Sequence, residues 1–392
     1  MTCTVPTCRF AVFRLGLAQL IIWGTTFYLP GAFGNAIAAD LGWSGQRVFS
    51  GLSVALLVMG FVSPAVSWLI LRLGARQVLQ LGSVLAAAGC CVLALCETVP
   101  VWFFGWAVLG VGMRLSLYDA LFAALVGLIG ARSRPLMVQI TLLGGLSSAV
   151  FWPLGHVLLE TLGWRSAVAV YGGFALLSGL LMSGLPDAAA PVATPADDMS
   201  DEEATASWLR QSGYALCMML IGFLSAGLSA HLPALLAGLG VPVAWVALWG
   251  VGQTCARLMS RVLGQNLSAL RLNVWVAAGM ALCFVMALHS QGLAVLACLF
   301  VFGYGAMNGL GTLLRASLPF ELFAHHHYAR LQGRLLAPGF LLSAAAPWVY
   351  ARVQEATGDR GLLWLSLGIS GVALLTALIL QRHCRSGLSV PV

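Results

Sequence analysis

The chain contains no lysine, and acids are scarce: 13 aspartates and glutamates stand against 20 basic residues, all arginine, in 392 residues. Charged residues make up 8% of the sequence, where a soluble globular domain carries about 25%. With 60% of the residues hydrophobic, the polar residues cannot cover the apolar ones. That excludes water as the solvent of the folded state and leaves the lipid bilayer. CxxC pairs are absent among the ten cysteines, so neither a structural zinc nor a dithiol redox pair is indicated. Most of these cysteines lie inside apolar runs, where they act as small hydrophobes. No nucleophile–base constellation, metal motif or GxxxxGK[ST] nucleotide loop occurs, so an enzyme is not expected and no cofactor is implied.

What the sequence does have is apolar length. A spanning helix needs roughly 20 mostly apolar residues. Runs of that kind cover roughly 12–38, 47–71, 76–96, 101–130, 136–160 and 165–185, then 208–237, 242–263, 271–290, 293–318, 331–353 and 361–381. The first run shows no small-residue cleavage site and continues past Tyr28, so it reads as a spanning helix and not as a removed leader. The longest polar segment, Pro186 to Ser207, holds Asp187, Asp197, Asp198, Asp201, Glu202 and Glu203 with Pro191 and Pro195, the composition of a flexible linker. The expected organisation is an all-α membrane protein of twelve transmembrane helices. A six-helix bundle covers 1–186, a cytoplasmic linker 187–207 and a second six-helix bundle 208–392.

A basic balance can signal nucleic acid, but here the arginines sit in short gaps between apolar runs, so no nucleic-acid partner is expected. A cytoplasmic N-terminus puts thirteen arginines on the inner side and only Arg47, Arg165, Arg352 and Arg360 on the outer side. This asymmetry predicts a multi-pass protein of the bacterial inner (plasma) membrane with both termini in the cytoplasm.

The two sets of six spans resemble each other. Gly110-Val111-Gly112 in the fourth answers to Gly303-Tyr304-Gly305 in the tenth. Pro153 answers to Pro347, and Gly163-Trp164-Arg165 to Gly358-Asp359-Arg360, at offsets of 193 to 195 residues. A six-helix repeat around a linker is a transporter architecture, with the expected substrate site near the midplane between the halves.

Together with Asp40-Leu41-Gly42-Trp43-Ser44, Gly74-Ala75-Arg76 and Arg257, these motifs make the chain resemble the major facilitator superfamily, and within it the monocarboxylate and oxalate–formate-like branch. The resemblance implies the major facilitator fold and a small-solute transporter working by alternating access. Three positions depart from the family patterns. Leu71 replaces the acid usual in the loop after the second span. Trp106 replaces the arginine of drug–proton antiporters four residues before Gly110. Gln253 replaces the aspartate that monocarboxylate carriers place four residues before the eighth-span arginine.

A charge at the bilayer centre costs at least about 2.5–3.5 kcal/mol on insertion scales, so ionisable residues inside spans are functional candidates by default. The resemblance gives Arg257 an anion-binding role, and its planar fork matches a carboxylate; the competing reading is an arginine snorkelling to lipid phosphate. Gln253 lies one turn away on the same face. Arg114 falls midway along the fourth span, with Tyr118 one turn on. Asp119, five residues on, is about 140° around a continuous helix, so it would need a partner on another helix, or a proton. Asn308 and Tyr28 are further substrate-binding candidates. Asp119 and His156, the latter of a residue type suited to proton exchange, are candidates for proton coupling, with packing as the alternative for His156. Arg315 is expected near the cytoplasmic interface. His325-His326-His327 reads as a solvated loop and Cys90-Cys91 as packing, so no metal site is expected. The partners implied are a small, anionic solute, the bilayer, and a proton or other coupling ion. An efflux permease for drugs or metalloids and a non-transporting membrane sensor are the alternatives.

Overall fold

In the computed structural model, residues 5–185, 201–263, 268–323 and 328–386 are described, and their regular structure is entirely helical. A bilayer offers no partner to a free peptide group, so each apolar run must close its own hydrogen bonds, which a helix does within one segment. The first span is α1 (Val5–Thr25) and α2 (Leu29–Leu41), followed by α3 (Gly45–Leu73) and α4 (Ala75–Ala94). The fourth span is α5 (Val99–Ser116) and α6 (Tyr118–Ile129). The fifth and sixth are α7 (Ser133–Gly144) and α8 (Ser147–Leu181). Then come α9 (Asp201–Gly238), α10 (Ala247–Leu263), α11 (Ala269–Leu288) and α12 (Ala294–Leu322), with the last two spans in α13 (Tyr328–Ser386).

Each predicted span is helical. Among the described residues nine helical stretches are long and apolar enough to cross a membrane, one of them, Pro135–Gly184, holding two predicted spans. The 17-residue α10 is not one of the nine; it carries Gln253, Thr254, Arg257, Ser260 and Arg261. The predicted linker lies mostly outside the described residues, and its last seven residues differ from expectation, because α9 already begins at Asp201. By contacts the chain divides into two compact units, Met1–Val192 with Gln332–Ala337, and Ala193–Leu331 with Pro338–Val392. In the first, α4 packs on α5 and α8, and α1 on α7 and α8; in the second, α12 packs on α10 and α11.

The helix breaks position the polar residues. Between α1 and α2, Thr25 and Thr26 turn their hydroxyls back onto the Ile21 and Ile22 carbonyls, the back-bonding that bends helices. Between α5 and α6, Leu117 is extended, at φ −75° and ψ 179°. Its carbonyl then accepts from the Ala120 and Leu121 N–H groups and starts a new helix. The continuous fourth span expected from the sequence is therefore corrected to two helices, and the angle computed from Arg114 to Asp119 does not apply.

Two further breaks fall at repeat-related glycines. Gly163 in α8 (φ 74°, ψ 162°) and Gly358 in α13 (φ 70°, ψ −172°) turn the chain from one span into the next. That region of backbone space is essentially open to glycine alone. At the Gly163 corner, the Trp164 Nε1–H (2.9 Å) and the Arg165 guanidinium both donate to Asp40 at the end of the first span. Replacing Gly163 by alanine is expected to cost about 1–3 kcal/mol, measured as a lower Tm of the detergent-purified protein. Gly173→Ala, with open space around the added methyl, should show no such loss.

Candidate functional site

Arg257 stands on α10 against α12, and three glycines bring these helices to backbone contact. A Cβ on Gly252 would collide with the Phe302 carbonyl, one on Gly305 with the Trp249 carbonyl, and one on Gly309 would stand 2.8 Å from the Gln253 Cα. Small residues at such a seam let helix backbones approach in lipid. The seam buries the Arg257 side chain to 3% exposure. Its Nη2 donates to Thr312 Oγ1 at 3.0 Å, and that hydroxyl donates onward to the Gly309 carbonyl at 2.7 Å. The Arg257 Nε and Nη1 are buried and have no hydrogen-bond partner among the described residues. Gln253 and Asn308 are buried too. Gln253 is one turn before Arg257 on α10, and Asn308 one turn before Thr312 on α12. This is not a snorkelling arginine: its head is inside the helix pair.

The first unit holds a related pair. Gly110 of α5 lies against Ala55 of α3, where a Cβ would stand 2.6 Å from the Ala55 carbonyl oxygen. Arg114, also 3% exposed, donates from Nε to Ser63 Oγ on α3 at 2.6 Å. Across the repeat offsets of 193 to 195, Arg114 falls on Met307, Asn308 or Gly309 and Arg257 on Pro64, Ser63 or Val62, so neither arginine is repeated in the other unit. The two units thus use the same helix pair but place the arginine on opposite members of it.

Tyr118 and Tyr28 enter an aromatic cluster in the first unit. Tyr118 stacks on Phe122 at 5.4 Å and lies 5.2 Å from Trp23, while Tyr28 lies 6.4 Å from Trp23 and 5.8 Å from Trp152 between ring centroids. The indole N–H groups of Trp23 and Trp152 are buried without a hydrogen-bond partner among the described residues. Thr312, Ser63, Trp23 and Trp152 were not legible as site residues. The available signal was weak: Thr312 follows Asn308 by one helical turn.

The two proton-coupling candidates are not brought together. Asp119 is buried in the first turn of α6, at the N-terminal end of that helix. The break at Leu117 supplies that helix start, which the sequence reading did not foresee. His156 is exposed on α8 with its Nε2 3.3 Å from Glu160 one turn on, which is not the packed position of the alternative reading. Arg315 is half-buried, its guanidinium 5.7 Å from the centroid of the Phe340 ring. Cys90 is buried and Cys91 exposed. Among the described residues no group of three metal-ligating side chains occurs; His325-His326-His327 lies outside them.

Comparison to known proteins identifies the family to which these helices belong. The Major Facilitator Superfamily profile matches residues 15–347. The chain belongs to the Major Facilitator Superfamily. This superfamily member is 29% identical over 363 residues to mouse monocarboxylate transporter 11, covering 86% of the chain and 70% of that relative. It is 36% identical over 115 residues to mouse monocarboxylate transporter 6, covering 29% of the chain and 24% of that protein. In fold it is similar to the human organic anion transporter MFSD10 (TETRAN), at a TM-score of 0.71 and 17% identity over 95% of this chain and 100% of that one. It is also similar to the proton:xylose symporter XylE, at a TM-score of 0.73 and 16% identity over 93% and 94%. The superfamily member is a multi-pass membrane transporter, with the all-α major facilitator fold expected from its spans.

Proposed function

We propose that the protein is a secondary transporter of small organic anions of the carboxylate class, working by alternating access in a bacterial plasma membrane. Arg257 is the anchor for the anion. The observation that carries this reading is a guanidinium at 3% exposure with Nε and Nη1 unpartnered among the described residues. A buried charge left uncompensated costs several kcal/mol, and a carboxylate offers the acceptors that those nitrogens lack. Gln253 and Asn308 supply neutral hydrogen bonds from the same helix pair, and Arg114 is the corresponding cation of the first unit. The similarity to mouse monocarboxylate transporter 11 supports the carboxylate class.

The test is a thermal-shift screen of the purified protein against carboxylates, amino acids, drugs and arsenicals. A ligand at 100 times its Kd stabilises the bound state by about 2.7 kcal/mol, so a small carboxylate should raise Tm in a saturable way. Stabilisation by neutral or cationic aromatic compounds alone would sink the anion reading. The aromatic cluster around Trp23 would then favour the second reading, efflux of toxic organic compounds.

A further inference from the structure

A hydrogen-bonded chain in the second unit demands one more proton than its members carry when neutral histidine faces ionised aspartate. His231, on α9, places Nδ1 3.0 Å from Gln354 Oε1 and Nε2 3.0 Å from the Pro347 carbonyl oxygen. The other end of the Gln354 amide, Nε2, donates to Asp359 Oδ1 at 2.7 Å. Three hydrogen bonds therefore run from Pro347 through His231 and Gln354 to Asp359. Pro347 and a carboxylate only accept, a neutral imidazole supplies one N–H, and the amide supplies one toward one side only. Two protons cannot make three bonds.

We propose that His231, Gln354 and Asp359 form a binding site for a single proton. With the amide oriented as it stands, the proton is on the imidazole, which donates from both ring nitrogens. With the amide turned over, the same proton sits on Asp359, which donates to the Gln354 oxygen, and the Gln354 NH2 donates to a bare Nδ1. Either way the complete chain holds one proton between a histidine and a carboxylate, and losing it breaks one of the three bonds.

The site fastens α9 to α13. Gly227, His231 and Gly238 lie along α9 at spacings of four and seven residues, one face of the helix. A Cβ on Gly227 would stand 2.6 Å from the Tyr350 ring, and one on Gly238 would collide with Asp359 Oδ2. Asp359 follows Gly358, whose positive φ turns the chain into the last span. Among the described residues the titratable groups facing His231 are Tyr350, its ring centroid 6.0 Å away, and Asp359 through Gln354. Tyr350 shares its hydroxyl hydrogen bond with Ser366. Arg352 and Glu355 pair with each other at 3.4 Å on the exposed side. Proton uptake therefore closes the α9–α13 chain and release opens it. That gives a proton-coupled cycle a seat separate from Arg257, a role that rests on the transporter reading; the proton count does not.

The test is solid-state NMR of the 15N-histidine-labelled protein in lipid vesicles, with His231→Gln used only to identify the His231 resonances. In the wild type at neutral pH, both ring nitrogens of His231 should be protonated, or infrared spectroscopy should show a carboxylic acid band that Asp359→Asn removes. In Asp359→Asn the amide itself donates to Gln354, so the chain is complete without the extra proton. His231 should then carry a proton on Nε2 alone. A wild-type His231 with one bare nitrogen and no Asp359 acid band overturns the proposal. So does an Asp359→Asn protein whose His231 stays doubly protonated. Should that variant fail to fold, the wild-type spectra decide alone. Carboxylate-dependent stabilisation is read separately, so a failure here and a failure of the anion reading are distinguishable.

Discussion

Arg257→Leu is expected to abolish carboxylate binding while leaving a folded, membrane-inserted protein. The two effects separate because a buried cation and a buried leucine differ in opposite ways. For the ligand, removing one partner of a buried, hydrogen-bonded charge pair costs about 2–5 kcal/mol, which is roughly 30-fold or more in affinity. For the fold, replacing a buried ionic group by an apolar one of similar volume is commonly neutral or stabilising. The Nη2 bond to Thr312 is lost, but the Thr312 hydroxyl keeps its own acceptor, the Gly309 carbonyl. The expected result is an unchanged or raised Tm with no carboxylate-induced shift and no uptake into proteoliposomes. Arg257→Lys keeps the charge without the planar fork, so partial activity should remain. Full transport by the leucine variant would remove Arg257 from the site.

Gly252→Ala is expected to disable the same site from a distance. The added methyl would meet the Phe302 carbonyl, with the Ala306 nitrogen 3.0 Å away. These are backbone atoms, so no rotamer change relieves the clash and α10 must move off α12. Overpacking of this kind costs about 1–3 kcal/mol and sometimes more. The displaced helix carries Arg257 five residues on, away from Thr312. The expected outcome is a lower Tm together with carboxylate binding weakened by about tenfold or more, since misplacing a group by about 1 Å is costly in a pre-organised site. Gly368→Ala, which meets nothing within 4 Å, should be neutral or stabilise by up to about 1 kcal/mol. Equal effects of the two substitutions would mean that the seam does not hold the site.

The fold was legible because lipid simplifies the problem. Apolar length marks a span and arginine marks a loop, and neither needs knowledge of a tertiary partner. The corners at Gly163 and Gly358 were also visible, since the glycine repeats at an offset of 195 residues and both positions have positive φ. The break at Leu117 was not visible. The stretch Arg114-Leu115-Ser116-Leu117-Tyr118-Asp119 contains no glycine or proline, so nothing local announced it. The polar partners were hidden for a different reason. Thr312 lies 55 residues from Arg257, Ser63 lies 51 from Arg114, and Gln354 lies 123 from His231. Only packing brings these together. His156 could have been read better, because His156 and Glu160 stand one helical turn apart and pair with each other on the exposed face of α8.

The unrepeated arginines also distinguish the two halves. Duplication of one six-helix ancestor would have copied any arginine along with its helix and delivered a twin to the other half. Neither twin is present at any of the repeat offsets of 193 to 195 residues. A glycine of the fourth or tenth span meets the backbone of the second or eighth in each half, Gly110 at Ala55 and Gly305 at Trp249. The helix pairing is thus common to both halves, and the charge it carries makes the halves chemically unequal.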